Sequence, residues 1–195
     1  DVIFAESRNG AIGAPRILSI LLDALGPIWP SRISLQNIPL GDSWIYPPWQ
    51  RGREPDAECI VPFHKLSQWM TFSLIEPLQQ AGLDVFDIDG LTGLAEYRNG
   101  GLLVDGRVLL PKQPELLNQL HGPDSIFVIE WRALTVALLD ELRLLVAERL
   151  GLPEKEFPLP RLLEGGTWSA GRHLAQQLRP DRSPPIRIQS DGTVF

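Results

Sequence analysis

Cysteine is all but missing from this chain of 195 residues: Cys59 stands alone, so an intrachain disulfide is excluded and a reducing compartment, the cytoplasm, is the expected home. Methionine is equally scarce. Met70 is the single copy and the chain opens on Asp1, which leads to the expectation that part of a longer protein precedes it. No apolar run approaches the roughly 20 residues that span a bilayer, and no secretory pattern opens the sequence, so no membrane partner is expected. Basic excess is lacking too. The formal net charge is -6, spread along the chain, which argues against nonspecific duplex nucleic acid as a partner and leaves room for a local basic pocket holding one phosphate. Cys59, His64, His121 and His173 are scattered without paired-ligand spacing, so no metal is expected. The P-loop, the dinucleotide glycine fingerprint and the nucleophile elbow are absent as well, and no cofactor is expected.

What is present is ordinary globular usage, 44% apolar and 22% charged, enough to build one sizeable core. The first twelve or so residues lack clear periodicity. From Pro15 the residues Ile17, Leu18, Ile20, Leu21, Leu22 and Leu25 recur at helical spacing until Gly26-Pro27. A long connection follows, from Trp29 to about Pro62, containing Leu40-Gly-Asp-Ser-Trp44 and Tyr46-Pro-Pro-Trp49. Its length implies that tryptophans pin it or that it lies over a site, with Gln50 to Glu58 as its most flexible stretch. A second helix is predicted from about Phe63 to Gln80, with Leu66, Trp69, Met70, Leu74, Ile75 and Leu78 facing the core and Pro77 set to kink or shorten it.

A short segment, Leu91 to Tyr97, leads into Asn99-Gly100-Gly101, and Leu102 to Leu110 then reads as a β-hairpin turning at Asp105-Gly106. The longest helix is predicted from about Ile129 to Leu150; it is apolar nearly all round and therefore expected to be central. Another is predicted from near Thr167 to Leu178. Ile186 to Gln189 suits a short strand, with a turn after it at Asp191-Gly192. The fold class is mainly α with a small β-hairpin accessory, and the length suits one domain, at most two.

Four clusters could carry chemistry. Asp89 to Gly101 gathers Asp89, Thr92, Glu96, Tyr97, Arg98 and Asn99 between glycines, which let backbone amides approach a ligand, and it supplies a carboxylate and a guanidinium. The plainer reading is a polar helix end with Glu96 and Arg98 solvated. In Phe63 to Trp69, His64 and Gln68 share a helix face with Lys65 at its edge, suited to a phosphate or carboxylate, or simply exposed at a helix end. Glu130 and Arg132 open the long helix but point apart, and with Asp140 they need partners on other elements if buried. In the fourth cluster, Glu164 to Arg172, Thr167 is a candidate N-cap with the Gly165 and Gly166 amides turned toward an anion, a weak signal because glycine pairs are common in turns.

Several segments resemble the uracil-catabolism family long described only as a domain of unknown function: Val61 to Trp69, Asp89 to Asp105, Glu130 to Asp140, Leu163 to Trp168 and Ser190 to Phe195. The resemblance implies that this chain is the C-terminal part of a larger helical domain, and that one partner is the N-terminal half of the same protein. Phe63-His-Lys-Leu-Ser-Gln68, Leu91-Thr-Gly-Leu-Ala-Glu-Tyr-Arg98 and Glu130-Trp-Arg132 also resemble segments of the queuosine-salvage N-glycosylases, more distantly. That likeness implies a helical fold similar to DNA glycosylases and cleavage of an N-ribosyl bond. It implies catalytic roles for Glu96 and Lys65, and substrate binding by His64, Gln68, Asp89, Tyr97, Arg98, Asn99, Glu130 and Arg132, with Trp69 and Trp131 shaping the pocket. The departure lies at the acid, where that family has aspartate and this chain has Glu96.

The expected substrate is a small ribosyl molecule, ribosyl-urea with or without a 5-phosphate. The rival expectations are a binding or scaffold protein of the same pathway and an amidohydrolase acting on the urea group. A homo-oligomer is compatible with all three.

Overall fold

The computed structural model describes residues 2–52, 54, 56–189 and 192, with the side chain of Glu164 outside the description. The chain begins with α1 (Val2–Glu6), β1 (Ala11–Gly13) and α2 (Ala14–Leu25), so the aperiodic start already holds two short elements. The long connection holds β2 (Ser34–Leu35), β3 (Ile38–Pro39), β4 (Ser43–Ile45), α3 (Pro47–Gln50) and β5 (Ile60–Pro62). Then come α4 (Lys65–Gln80), β6 (Asp84–Phe86), α5 (Tyr97–Asp105), β7 (Leu120–His121) and α6 (Ile126–Leu150). The end is formed by α7 (Leu159–Leu162), a π-helical turn over Leu163–Trp168, α8 (Ser169–Leu178) and β8 (Arg187–Ile188). Helices dominate, and the strands form only two-stranded pairs: β1 with β6 and β7 with β8 parallel, β2 with β3 and β4 with β5 antiparallel.

The helical periodicity of α2 has its expected result. Ile17, Ile20 and Leu21 are buried against Ile75 and Leu78 of α4 and against Leu83, Val85 and Leu91 beyond it. Pro77 neither ends nor shortens α4, which runs on to Gln80 with Pro77 on its exposed side. Trp69, expected in the core, is 59% exposed. Its place is taken by polar residues: Lys65, Ser67, Gln68 and Thr71 are buried in α4, and Thr71 Oγ1 donates to the Ser67 carbonyl at 2.8 Å.

The β-hairpin over Leu102 to Leu110 does not form. Leu102 to Asp105 form the last turn of α5, with Glu96 as N-cap and Gly106 as C-cap, and Gly106 to Leu110 leave the helix without pairing as a strand. Asn99-Gly-Gly is therefore not a turn. The glycines face neighbouring elements: a Cβ on Gly100 would lie 2.7 Å from Thr135 Oγ1 and from Trp131 Nε1, and one on Gly171 only 2.1 Å from the Arg98 carbonyl. Small residues let α5 lie close to both α6 and α8, and the packing gained outweighs the poor helix propensity of two glycines.

Helix α6 starts at Ser125, whose Oγ accepts from the Val128 amide at 3.3 Å, and ends at Gly151 in the left-handed region. It is not enclosed all round. Val128, Ile129, Trp131, Arg132, Thr135, Leu139 and Ala147 are buried, whereas Leu134 is 48% and Leu145 60% exposed. The last helix, α8, matches the expected span from near Thr167 to Leu178, but it has no free start there. α7, the π-helical turn and α8 follow one another without a break, so Thr167 is no N-cap and the Gly165–Gly166 amides do not sit at a helix start. The strand expected over Ile186 to Gln189 is present as β8. The turn at Asp191-Gly192 and most of Ser190 to Phe195 lie outside the described residues, as do Arg53 and Pro55 of the Gln50 to Glu58 stretch.

Candidate active site

Three elements converge at the start of α4. Strand β4 pairs with β5 in the register Ser43 with Pro62, Trp44 with Val61 and Ile45 with Ile60, which lays Asp42 beside His64 and Lys65. The Asp42 carbonyl accepts from the amides of Phe63 (2.9 Å) and His64 (3.2 Å), and its Oδ2 accepts from the Lys65 amide at 3.0 Å. His64 is the N-cap residue of α4, in the left-handed region with φ +48°, and its side chain makes no cap hydrogen bond among the described residues. The carboxylate that serves α4 thus comes from a distant loop.

Arg132 is 0% exposed and closes the arrangement from α6. Its Nη1 and Nη2 donate to Asp42 Oδ1 (2.8 Å) and Oδ2 (2.7 Å), its Nε donates to the Ala95 carbonyl (3.3 Å), and its guanidinium lies 4.1 Å from the Phe63 ring centre. Trp44 Nε1 adds a bond to Asp42 Oδ1 at 2.8 Å. Burial alone would raise the Asp42 carboxyl; the hydrogen bonds and charge of Arg132, with the Trp44 and Lys65 donors, outweigh it and hold Asp42 below its ordinary value. Burial also lowers His64, and the Asp42 charge works against that.

Glu96 follows Ala95 directly and is 8% exposed. Its carboxylate accepts from the Arg98 amide at 2.8 Å and, at very short range, from the Asn99 amide, capping α5. Each oxygen keeps acceptor capacity beyond those bonds. Burial pushes the Glu96 carboxyl above its ordinary value, against the pull of the two amides and of the Lys65 and Arg98 charges. Lys65, 9% exposed, is therefore a close electrostatic neighbour of Glu96, and neither is the solvated residue that composition alone admits. Gln68 Oε1 accepts from the Thr92 amide at 3.3 Å. Asn99 donates to the Leu94 carbonyl and accepts from Thr167 Oγ1 at 2.8 Å, which ties the π-helical turn to the start of α5.

The remaining expected residues are dispersed around this centre. Arg98 stacks 4.7 Å from the Tyr97 ring and donates to the Arg182 carbonyl, while Tyr97 packs with Trp131 and Ile186. Asp89 is exposed and sits within electrostatic range of Asp140, two turns along α6 from Arg132. Asp140 is itself exposed and needs no buried partner. Glu130, exposed, accepts from the Tyr46 hydroxyl at 2.5 Å on the opposite side of Arg132, on the rim of a 550 Å³ groove lined by Leu109, Leu117, Phe127 and Trp131. Among the described residues, no three His, Cys, Asp or Glu side chains gather as a metal-ligand set, and no helix is long and apolar enough to cross a membrane.

Asp42 has no place among the residues singled out from sequence. The signal available was Gly41-Asp42-Ser43-Trp44, a carboxylate two residues before a tryptophan; nothing local says that its partner lies 90 residues away on α6.

Comparison with known proteins completes the description. A family model described as "Protein of unknown function (DUF1688)" matches residues 1–195. Protein urg3 of Schizosaccharomyces pombe is 44% identical over 181 residues, covering 91% of this chain and 43% of the relative. Uracil catabolism protein 4 of Lachancea kluyveri is 40% identical over 211 residues, covering 97% of this chain and 47% of the relative. The chain thus spans about half the length of these curated relatives. No solved structure matches it.

Proposed function

This chain belongs to the DUF1688 family, and from that premise we propose that it carries the catalytic carboxylate of a hydrolase acting on the N-ribosyl bond of a uracil-degradation intermediate, ribosyl-urea or its 5-phosphate. The link to uracil comes from the name of the Lachancea kluyveri relative. The observation that carries the reaction is the enclosed Glu96 carboxylate, held by two backbone amides, with the enclosed Lys65 within electrostatic reach. Breaking an N-ribosyl bond develops positive charge on the sugar, and a carboxylate held in a dry setting stabilises such charge without reorganising.

In this reading the C1–N bond breaks with its electron pair passing to the urea nitrogen. Water attacks C1 and gives a proton to Glu96, and the departing nitrogen takes a proton from solvent, so that water adds across the bond. Lys65 holds a ribose or phosphate oxygen. His64, Gln68, Tyr97, Arg98 and Asn99 form or support the surrounding wall. Asp89, beside Asp140, and Glu130, bonded to Tyr46, lie on opposite sides of Arg132, so a small substrate at Glu96 does not span both. Arg132 supports from behind, because its three nitrogens are bonded to Asp42 and Ala95.

The test is incubation of the full encoded protein, and of this chain, with ribosyl-urea 5-phosphate and with uridine 5-phosphate, following urea and ribose 5-phosphate by mass spectrometry. Expected is release from the first compound, lowered at least about 100-fold in Glu96→Gln and lowered also in Lys65→Ala. A folded protein releasing neither product would defeat this reading. A second reading has its own support, since both Glu96 oxygens already cap α5: a protein that binds the intermediate without cleaving it. Tight binding without release, unaffected by Glu96→Gln, would favour that role.

A further inference from the structure

We propose that Asp42 is a positioning residue for Lys65 and Glu96, acting through one buried bridge with Arg132 that fixes the main chain beside each of them. The proposal rests on the reading of Lys65 and Glu96 given above. Its basis is a continuous set of bonds. Asp42 Oδ2 accepts from the Lys65 amide at 3.0 Å, so the lysine's own backbone is held by the carboxylate. The same carboxylate receives both terminal nitrogens of Arg132 at 2.8 and 2.7 Å, and Arg132 Nε reaches the carbonyl of Ala95, the residue before Glu96, at 3.3 Å. The route therefore runs Lys65, Asp42, Arg132, Ala95, Glu96, across elements that nothing in the local chain would register against one another.

Two features favour positioning over bulk stabilisation. A buried ion pair is weak evidence for stability, because well-packed apolar residues of similar volume often serve as well or better. What an apolar substitute cannot supply is direction. A guanidinium fork on a carboxylate fixes angle as well as distance, and here each of its three bonded nitrogens has a specified acceptor. Secondly, α4 receives no side-chain cap from His64, which is held at φ +48°. The first turn of the helix, where Lys65 sits, takes its orientation from Asp42.

The experiment compares wild type, Asp42→Asn, Asp42→Glu and Arg132→Lys in the full encoded protein. One readout is steady-state release of ribose 5-phosphate from ribosyl-urea 5-phosphate; the other is hydrogen exchange at the Arg98 and Asn99 amides, which report where the Glu96 carboxylate lies. Displacement of reacting groups by about 1 Å costs up to about 100-fold in rate. Expected for Asp42→Asn and Arg132→Lys is a kcat at least about tenfold lower, accompanied by a higher KM as Lys65 loses its hold on the substrate. Faster exchange at Arg98 and Asn99 should accompany it, with exchange in α2 unchanged. Asp42→Glu, which keeps the charge, should recover part of kcat, and it stands in if the asparagine variant does not fold.

A folded Asp42→Asn or Arg132→Lys with kcat within twofold of wild type, or a change confined to KM, overturns the proposal. Inactive wild type means that the reaction has been misassigned. Exchange then decides by itself: faster Arg98 and Asn99 amides in a folded variant support the positioning role, and unchanged amides overturn it.

Discussion

Asp42 and Glu96 are both enclosed carboxyls, yet their surroundings move them in opposite directions. Asp42 is held below its ordinary value of 3.8 because Arg132, with the Trp44 and Lys65 donors, outweighs burial. Its contribution to stability is present above that ordinary value and is lost as pH falls through the lowered one. Asp42→Asn should cost about 3–5 kcal/mol at pH 7, since it leaves the Arg132 charge enclosed without its counterion, and should remove part of the acid-induced loss expected of wild type. Urea unfolding at pH 7 and pH 3 checks both. Glu96 is raised above 4.5, chiefly by burial. Stability linked to its protonated form is present below 4.5 and is lost as pH rises through the raised value. Glu96→Gln, which never ionises, should flatten the dependence of Tm on pH across that window. If Glu96 is the base, turnover by wild type should climb over the same window as the carboxylate forms.

Among the elements, α5 shows why a local pattern can mislead. Leu102-Leu-Val-Asp-Gly-Arg-Val-Leu-Leu110 carries two apolar runs around the Asp-Gly of a hairpin, but Glu96 supplies an N-cap upstream, Gly100 lets α5 approach α6 and Gly171 lets α8 approach α5. Helix wins because an isolated two-strand pair gains little, whereas a close-packed helix buries Asn99, Gly100, Gly101 and Leu103. Gly171→Ala and Gly100→Ala should each destabilise by about 1–3 kcal/mol or more, because the new methyl meets backbone or buried side-chain atoms. Gly165→Ala, where a Cβ meets nothing within 4 Å, should be neutral or slightly stabilising. Thermal melts of the three variants separate the outcomes.

At the scale of the whole molecule, α6 divides into an enclosed face and an outward one. Leu139→Ala should cost about 2–5 kcal/mol. Leu134→Ser should stay within about 0.5 kcal/mol in this chain, because Leu134 is largely exposed. Equal losses in chemical unfolding would show that the outward face is covered. Local patterning sufficed for the helical character of the chain, the extents of α2, α4 and α6 to within a few residues, and the segments from which Lys65, Gln68, Glu96 and Asn99 come. Those features follow from apolar spacing, caps and breakers acting within a few turns. Tertiary structure alone decided that α5 is a helix, that Trp69 faces outward while Lys65 faces inward, and that Asp42 joins Arg132. Each depends on how well surfaces far apart in sequence fit and whether an enclosed charge finds its counterion, and neither property is written in local periodicity.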